Sequence, residues 1–210
     1  MPVRYTAGHK EGTRRRILAA AAQSFRTKGV RSAGVDEVMR SAGLTAGGFY
    51  AHFPSKRALL AAALRTSLED ARQRLFAGLE ELRGAAWLRA VVGRYLSRTH
   101  RDDPGGGCAL PSLAGEIARE GRRPRQALQA YLQQLVAEIA PRTPPAPGLE
   151  PEDRVLATVA LLSGALMLAR AVDDPELSDR ILRAARRLAV PETALAATTE
   201  QAARPTRGEP

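Results

Sequence analysis

Reactive side chains are scarce in this 210-residue chain: it has one cysteine and three histidines, and only Cys108 with His100 offers even a weak pairing of nucleophile and base. The glycines at 105–107 lack the Lys-Ser/Thr that follows in a phosphate-cradling loop, and no Cys, His or acidic spacing suits a metal. Neither catalysis nor a cofactor is expected. A different chemistry is suggested by residues 35–60, VDEVMRSAGLTAGGFYAHFPSKRALL, in which Ala46, Gly47 and Gly48 are consecutive. Side chains that small cannot hold a hydrophobic core, but they let a backbone approach another surface closely.

The charge distribution points to what that surface is. Of the net charge of +10, +8 falls in residues 1–60, which contain 11 Lys/Arg and 3 Asp/Glu. A basic lobe attracts a polyanion such as DNA, whereas a merely solvated Arg-rich surface would spread its charge more evenly. Hydrophobic residues make up 44% of the chain and aromatics only 4%, with Ala, Leu and Arg dominant, a mix that favours helices over sheets. The start, MPVRYTAGHK, has no apolar signal-peptide core. The longest apolar run, Val155 to Ala169, is about 15 residues, interrupted by Thr158, Ser163 and Gly164, against roughly 20 for a bilayer span. A lone cysteine cannot form an internal disulfide. A cytoplasmic protein without a membrane partner is therefore expected.

The elements that must position the small-residue run follow from periodicity. A first helix is expected from Thr13, whose hydroxyl can cap it, to about Lys28, with Ile17, Leu18, Ala21, Ala22 and Phe25 on one face. Gly29 stops it, Val35, Val38 and Met39 mark a second helix ending at Ala42-Gly43, and Thr45 offers a cap for a third from Ala46 to His52. Pro54-Ser55 break that helix before a long one runs from Lys56 to about Leu82. Helices this short must share a core, for which Phe25, Val35, Val38, Leu44, Phe49, Phe53 and Leu59 are the candidates. Phe49 and Phe53 are assigned to that core rather than to base stacking. Beyond it, helices fit Ala85–His100, Leu110–Glu120, Arg125–Ala140, Glu152–Ala171 and Pro175–Ala189, with breakers at 101–107 and 141–151. Residues 1–12 read as a flexible basic arm, 13–60 as the DNA-binding domain, 61–190 as a helical body and 191–210 as a disordered tail.

A helix, a tight turn at Ala42-Gly43-Leu44 and a second helix from Thr45 is the arrangement by which a helix-turn-helix presents its recognition helix. Gly43 tolerates a positive backbone dihedral there. At Ala42-Gly43, Thr45, Gly47, Tyr50, Phe53 and Lys56 the sequence resembles the TetR family of transcription regulators, continuously over about residues 13–60. The resemblance implies that Thr45, Tyr50 and Lys56 touch backbone phosphates, which suit hydroxyl donors and an ammonium. It places Ala46, Gly47 and Gly48 at the major-groove edge, where Ala46 can meet a thymine methyl but none can form a bidentate hydrogen bond. Arg31 is a further phosphate contact, and Arg14 to Arg16 add general attraction. His52 is as much a packed residue as a contact to phosphate or base. Family members often cap the second helix with Ser or Thr at 33 or 34; here Ala33 and Gly34 leave Ser32 as the substitute.

Downstream the resemblance is one of architecture: an all-α protein with an N-terminal three-helix helix-turn-helix domain and a C-terminal helical ligand-binding and dimerisation domain. It implies a homodimer on palindromic operator DNA, built through the last two helices, and repression relieved by an unknown small-molecule effector. Two helical stripes carry the dimer residues: Leu156, Val159, Ser163 and Met167 on one, Ile181, Leu182 and Leu188 on the other. Trp87, Tyr95, Cys108, Tyr131 and Met167 are candidates for the effector pocket or for ordinary core. Some TetR-type regulators sense electrophiles through one cysteine, so Cys108 is also a candidate sensor thiol. The rivals are a small enzyme, for which no constellation exists, and a non-specific architectural DNA-binding protein, which would rarely need some 130 further helical residues.

Overall fold

In the computed structural model, which describes residues 7–190, the described residues are 77% helical and form no strand. The start of the expected basic arm, residues 1–6, and the expected tail, 191–210, lie outside the described residues. The helices are α1 (Ala7–Ser32), α2 (Val35–Ser41), α3 (Lys56–Phe76), α4 (Gly84–Tyr95), α5 (Arg98–Asp102), α6 (Leu110–Ile117), α7 (Arg122–Ile139), α8 (Pro151–Ala171) and α9 (Pro175–Ala189), with a 3-10 segment at Ala46–Ala51. They sort into two units: the chain up to Arg74 with Asp103–Gln133, and Leu75–Asp102 with the chain from Gln134 on.

In the first unit, α1 buries Ile17, Leu18, Ala21, Ala22 and Phe25, the face expected from its spacing. It starts at Ala7, so residues 7–12, expected in a flexible arm, are helical, and Thr13 lies within the helix and is not its cap. Gly29 ends the regular helix as expected: it adopts φ 80°, ψ 164°, a region open essentially to glycine alone, and only a short further turn to Ser32 follows beyond the kink. Behind the kink the Val30 N–H donates to the Glu116 carboxylate of α6 at 2.8 Å. A donor orphaned by the kink thus receives a charged acceptor 86 residues away.

The turn after α2 is a Schellman motif: Gly43, at φ 69°, donates to the Arg40 carbonyl and Leu44 to that of Met39, both at 2.9 Å. Gly43 takes the positive dihedral expected of it. Val38, Phe49, Phe53 and Leu59 join Phe25 in the core at 2% exposure or less, whereas Val35 and Leu44 are only half-buried. The Ser55 hydroxyl accepts from the Ala58 N–H at 3.1 Å and caps α3, a starting role beyond the break expected of Pro54-Ser55.

The second unit holds Trp87, 1% exposed, with Phe76 at 5.4 Å between ring centroids and the Arg142 guanidinium 5.6 Å from its ring. The helix expected over Ala85–His100 is two, α4 and α5, because the Ser97 hydroxyl accepts from the His100 N–H at 3.1 Å and starts a new turn. Likewise α3 ends at Phe76 rather than Leu82, and Gly78 follows at φ 72°. The Asp179 carboxylate of α9 binds Arg98 and Arg101, and both hold it below the usual carboxylate range. α8 runs for 21 residues, longer than the apolar run of the sequence, and by length and composition could cross a bilayer. However, its Arg170 donates to the carbonyls of Arg101 and His100 at 3.0 and 2.6 Å, which ties it to the helical unit.

Substituting Gly29 is expected to cost more than substituting Gly43. An added Cβ at Gly43 meets nothing within 4 Å, whereas at Gly29 it would stand 2.7 Å from Glu116 Oε1 and displace the carboxylate from Val30. Gly43→Ala should cost about 1–2 kcal/mol, and Gly29→Ala a further ~1.5–3 kcal/mol for the lost charged hydrogen bond. Urea denaturation measures both, and in a Glu116→Ala background Gly29→Ala should lose that further cost while its backbone strain remains.

Candidate nucleic-acid interface

A six-residue 3-10 segment containing two glycines has little stability of its own, so its neighbours must hold it. Phe49 and Phe53 anchor it, 1% and 2% exposed, with ring centroids 6.1 Å apart. Arg14 of α1 closes the far end: its guanidinium lies 4.3 Å from the Phe53 ring centroid and donates to the His52 carbonyl at 2.8 Å. What the anchored segment leaves outward is Thr45, Ala46, Gly47 and Tyr50, all exposed. Tyr50 is 76% exposed and packs T-shaped against the Phe49 ring with centroids 5.1 Å apart, so an aromatic side chain stands on a buried one and projects into solvent. Gly47 has open space where a Cβ would lie, so nothing within the chain demands a glycine there.

The two ends of this surface carry the charge. Lys56, the first residue of α3, donates from Nζ to the Arg31 carbonyl at 3.3 Å, which brings two of the expected phosphate contacts side by side. Arg31 and Ser32 are exposed at the end of α1. Ser32 is not the cap of α2: that position is Gly34, with no side-chain capping bond, and Asp36 and Glu37 in the first turn offset the helix dipole instead. Thr45 occupies the cap position of the recognition segment, yet its hydroxyl makes no capping bond.

Of the two roles expected of His52, the structure describes the packed one. Its backbone is fixed by Arg14, while Nδ1 is shielded from solvent and has no hydrogen-bond partner. Burial first, then the charges of Lys10 and Arg14, push its pKa below the ordinary 6.5. Sequence reasoning missed the structural use of Arg14, which had been grouped with Arg15 and Arg16 as general attraction. Its position one turn below Ile17 and Leu18 was the available signal.

The other candidates are dispersed. Trp87, Tyr95 and Met167 belong to the second unit, Cys108 and Tyr131 to the first. Trp87, Tyr95 and Cys108 are buried, and Met167 is 49% exposed. Tyr95 pairs its hydroxyl with Ser163 at 3.4 Å. On α8 and α9, Leu156 and Leu188 are 44% and 69% exposed, Val159, Ser163 and Ile181 are half-buried, and Leu182, 2% exposed, is committed to the core of its own chain.

Together α2, the Schellman turn and the recognition segment make a helix-turn-helix DNA-binding head. The family profile for bacterial regulatory proteins of the tetR family matches residues 17–63, and that for the tetracyclin repressor-like C-terminal domain matches residues 84–185. The chain belongs to the TetR family and is a DNA-binding transcription regulator, not an enzyme. The Uncharacterized HTH-type transcriptional regulator Rv0196 of Mycobacterium tuberculosis is 27% identical over 191 residues, 87% of this chain and 96% of its own. UidR of Escherichia coli K12 is 32% identical over 111 residues, 53% of each chain. Among solved structures, the reduced form of E. coli NemR superposes with a TM-score of 0.71 at 23% identity, covering 85% of this chain and 95% of that one. That likeness is one of fold. Members of the family bind operator DNA and act as dimers.

A titration of the free protein should find the His52 imidazole half-protonated below pH 6.5. The unfolded chain then takes up this proton first as pH falls, so the stability cost of His52 is nil above the ordinary value, grows as pH falls to the lowered one and stays in full below it. Imidazole carbon-bound proton resonances measure the midpoint; a value at or above 6.5 would contradict the burial described here.

Proposed function

We propose that the protein is a repressor that binds palindromic operator DNA as a homodimer and leaves it when a small molecule binds the helical body. The observation that carries the DNA-reading part is the anchored recognition segment, whose outward face is Thr45, Ala46, the open Gly47 and the projecting Tyr50. Residues 13–60 are then the reading domain and 61–190 the body. Thr45, Tyr50, Lys56, Arg31 and Ser32 contact phosphates, Ala46, Gly47 and Gly48 lie against base edges, and His52 supports them from behind. With so few groups able to read bases directly, phosphate positioning and DNA shape carry much of the specificity.

Dimerisation is supported by the exposed Leu156, Met167, Leu168, Leu177 and Leu188 on α8 and α9. The effector acts by favouring a spacing of the two recognition segments that no longer fits successive major grooves, with α3 carrying the shift. A cytoplasmic location follows from this role.

A second reading concerns Cys108 as a sensor thiol. It is 7% exposed and stands near the Arg26 guanidinium, whose pKa is lowered mainly by burial and opposed by the charge of Cys108 among others. The same guanidinium favours a thiolate. Its Nε donates to the Gly105 carbonyl at 2.8 Å, so modification of the thiol would disturb the loop leading into α6.

Binding to the DNA flanking its own gene, at physiological salt with excess random duplex, tests the reading. Tyr50→Ala and Lys56→Ala should each weaken selective binding at least tenfold without changing the circular dichroism spectrum, and Lys56→Ala should lower the salt slope by about one. Binding erased by competitor favours an architectural protein, and no binding at low salt overturns the assignment of these residues. For the second reading, Cys108→Ser should abolish release of DNA by an alkylating electrophile; release unchanged in the variant rules the thiol out.

A further inference from the structure

A cleft of about 390 Å³ opens within the first unit, between the exit of the recognition segment, α3 and the start of α7. Its charged lining consists of Arg14 from α1, Arg65 from α3 and Arg123 from α7, and no carboxylate lines it. Beside them stand Gln126 and an apolar floor of Phe53, Pro54 and alanines of α3 and α7. Arg14 is already held in place by its bond to the His52 carbonyl and its stacking on Phe53, so one cation needs no ordering when a ligand arrives. Three guanidinium groups around one cleft repel one another, and the sequence adds to the imbalance. α7 opens with Arg122, Arg123 and Arg125 and has no acidic residue in its first turn, the opposite of what a helix dipole favours.

His52 also lines the cleft, and its Nδ1 is buried without a hydrogen-bond partner. A buried polar atom left unsatisfied calls for an explanation in any folded chain. An anion in the cleft would compensate the arginines and give a protonated imidazole a counter-charge. A bare phosphate or a stretch of DNA backbone would satisfy the charge but would have no use for the apolar floor. The volume also falls within the range of sites for small organic ligands, roughly 300–1,000 Å³.

We propose that this cleft binds a small organic anion with an apolar body, its carboxylate or sulfonate between Arg65 and Arg123 and its hydrocarbon against Phe53 and the alanines. The site lies directly behind the recognition segment, and its occupant would tie His52–Pro54 to α7. It does not depend on the operator reading, since binding is measurable without DNA.

Calorimetry with the full chain tests it, with sodium octanoate and naphthalene-1-sulfonate as probes and 1-octanol as the uncharged control. The expected result is one octanoate per chain, with 1-octanol at least tenfold weaker. The double variant Arg65→Ala/Arg123→Ala removes two exposed cations, and Ala130→Trp fills the cleft from an exposed lining position. Each should weaken octanoate binding at least tenfold, and in the wild-type chain octanoate should raise the His52 titration midpoint. No saturable binding of either anion, equal binding of 1-octanol, or affinity unchanged in both variants would overturn the proposal. So would a double variant that keeps its octanoate affinity and loses affinity for random duplex DNA, which would assign these arginines to the DNA backbone.

Discussion

Burial of Phe49 and Phe53 is the constraint on which the DNA-binding surface depends. The residues between Thr45 and His52 are chosen for what they leave open, and a segment of small residues has almost no means of holding its own shape. Two rings at 1% and 2% exposure supply what it lacks. Burying each stabilises by about 1.5–3 kcal/mol, comparable with the cost of keeping two glycines in helical turns. Because the rings enter the core of α1, α2 and α3, the segment inherits the rigidity of the whole unit. The exposed Tyr50 then has a fixed base, its ring edge-on to Phe49.

Arginine has a second use that net charge conceals. Arg26 donates to the Gly105 carbonyl, Arg94 to those of Leu75 and Ala77, Arg142 to those of Leu79 and Glu80, and Arg170 to those of His100 and Arg101. These carbonyls lie at helix ends or in loops, where backbone acceptors lack intrahelical partners. A guanidinium with five donors can serve two of them at once. Part of the basic excess is therefore structural, and the polarisation toward residues 1–60 says more about DNA than the total of +10 does.

The apolar faces of α1 and the turn at Gly43 were legible in the sequence because each rests on local rules: a period of 3.6 residues and a dihedral that glycine alone tolerates well. The break between α4 and α5 was not, since RYLSRTH contains neither glycine nor proline and the helix restarts on one serine hydroxyl. The start of α1 at Ala7 was hidden by Gly8 and Gly12, which have open space around them and do not interrupt the helix. The phosphate contacts expected of Thr45, Tyr50 and Lys56 rest on family resemblance, whereas the contact of Glu116 with Val30 had no local signal at all. It joins positions 86 residues apart, and only the packing of α6 on α1 brings them together.

On the proposed dimer, the leucines left bare on α8 and α9 make the stability of each chain depend on how many chains surround it. A folded dimer takes its stability partly from mass action, so dilution withdraws part of that support. For a regulator, the number of copies in the cell then sets two quantities together: how much of the operator is covered, and how much of the protein persists to cover it.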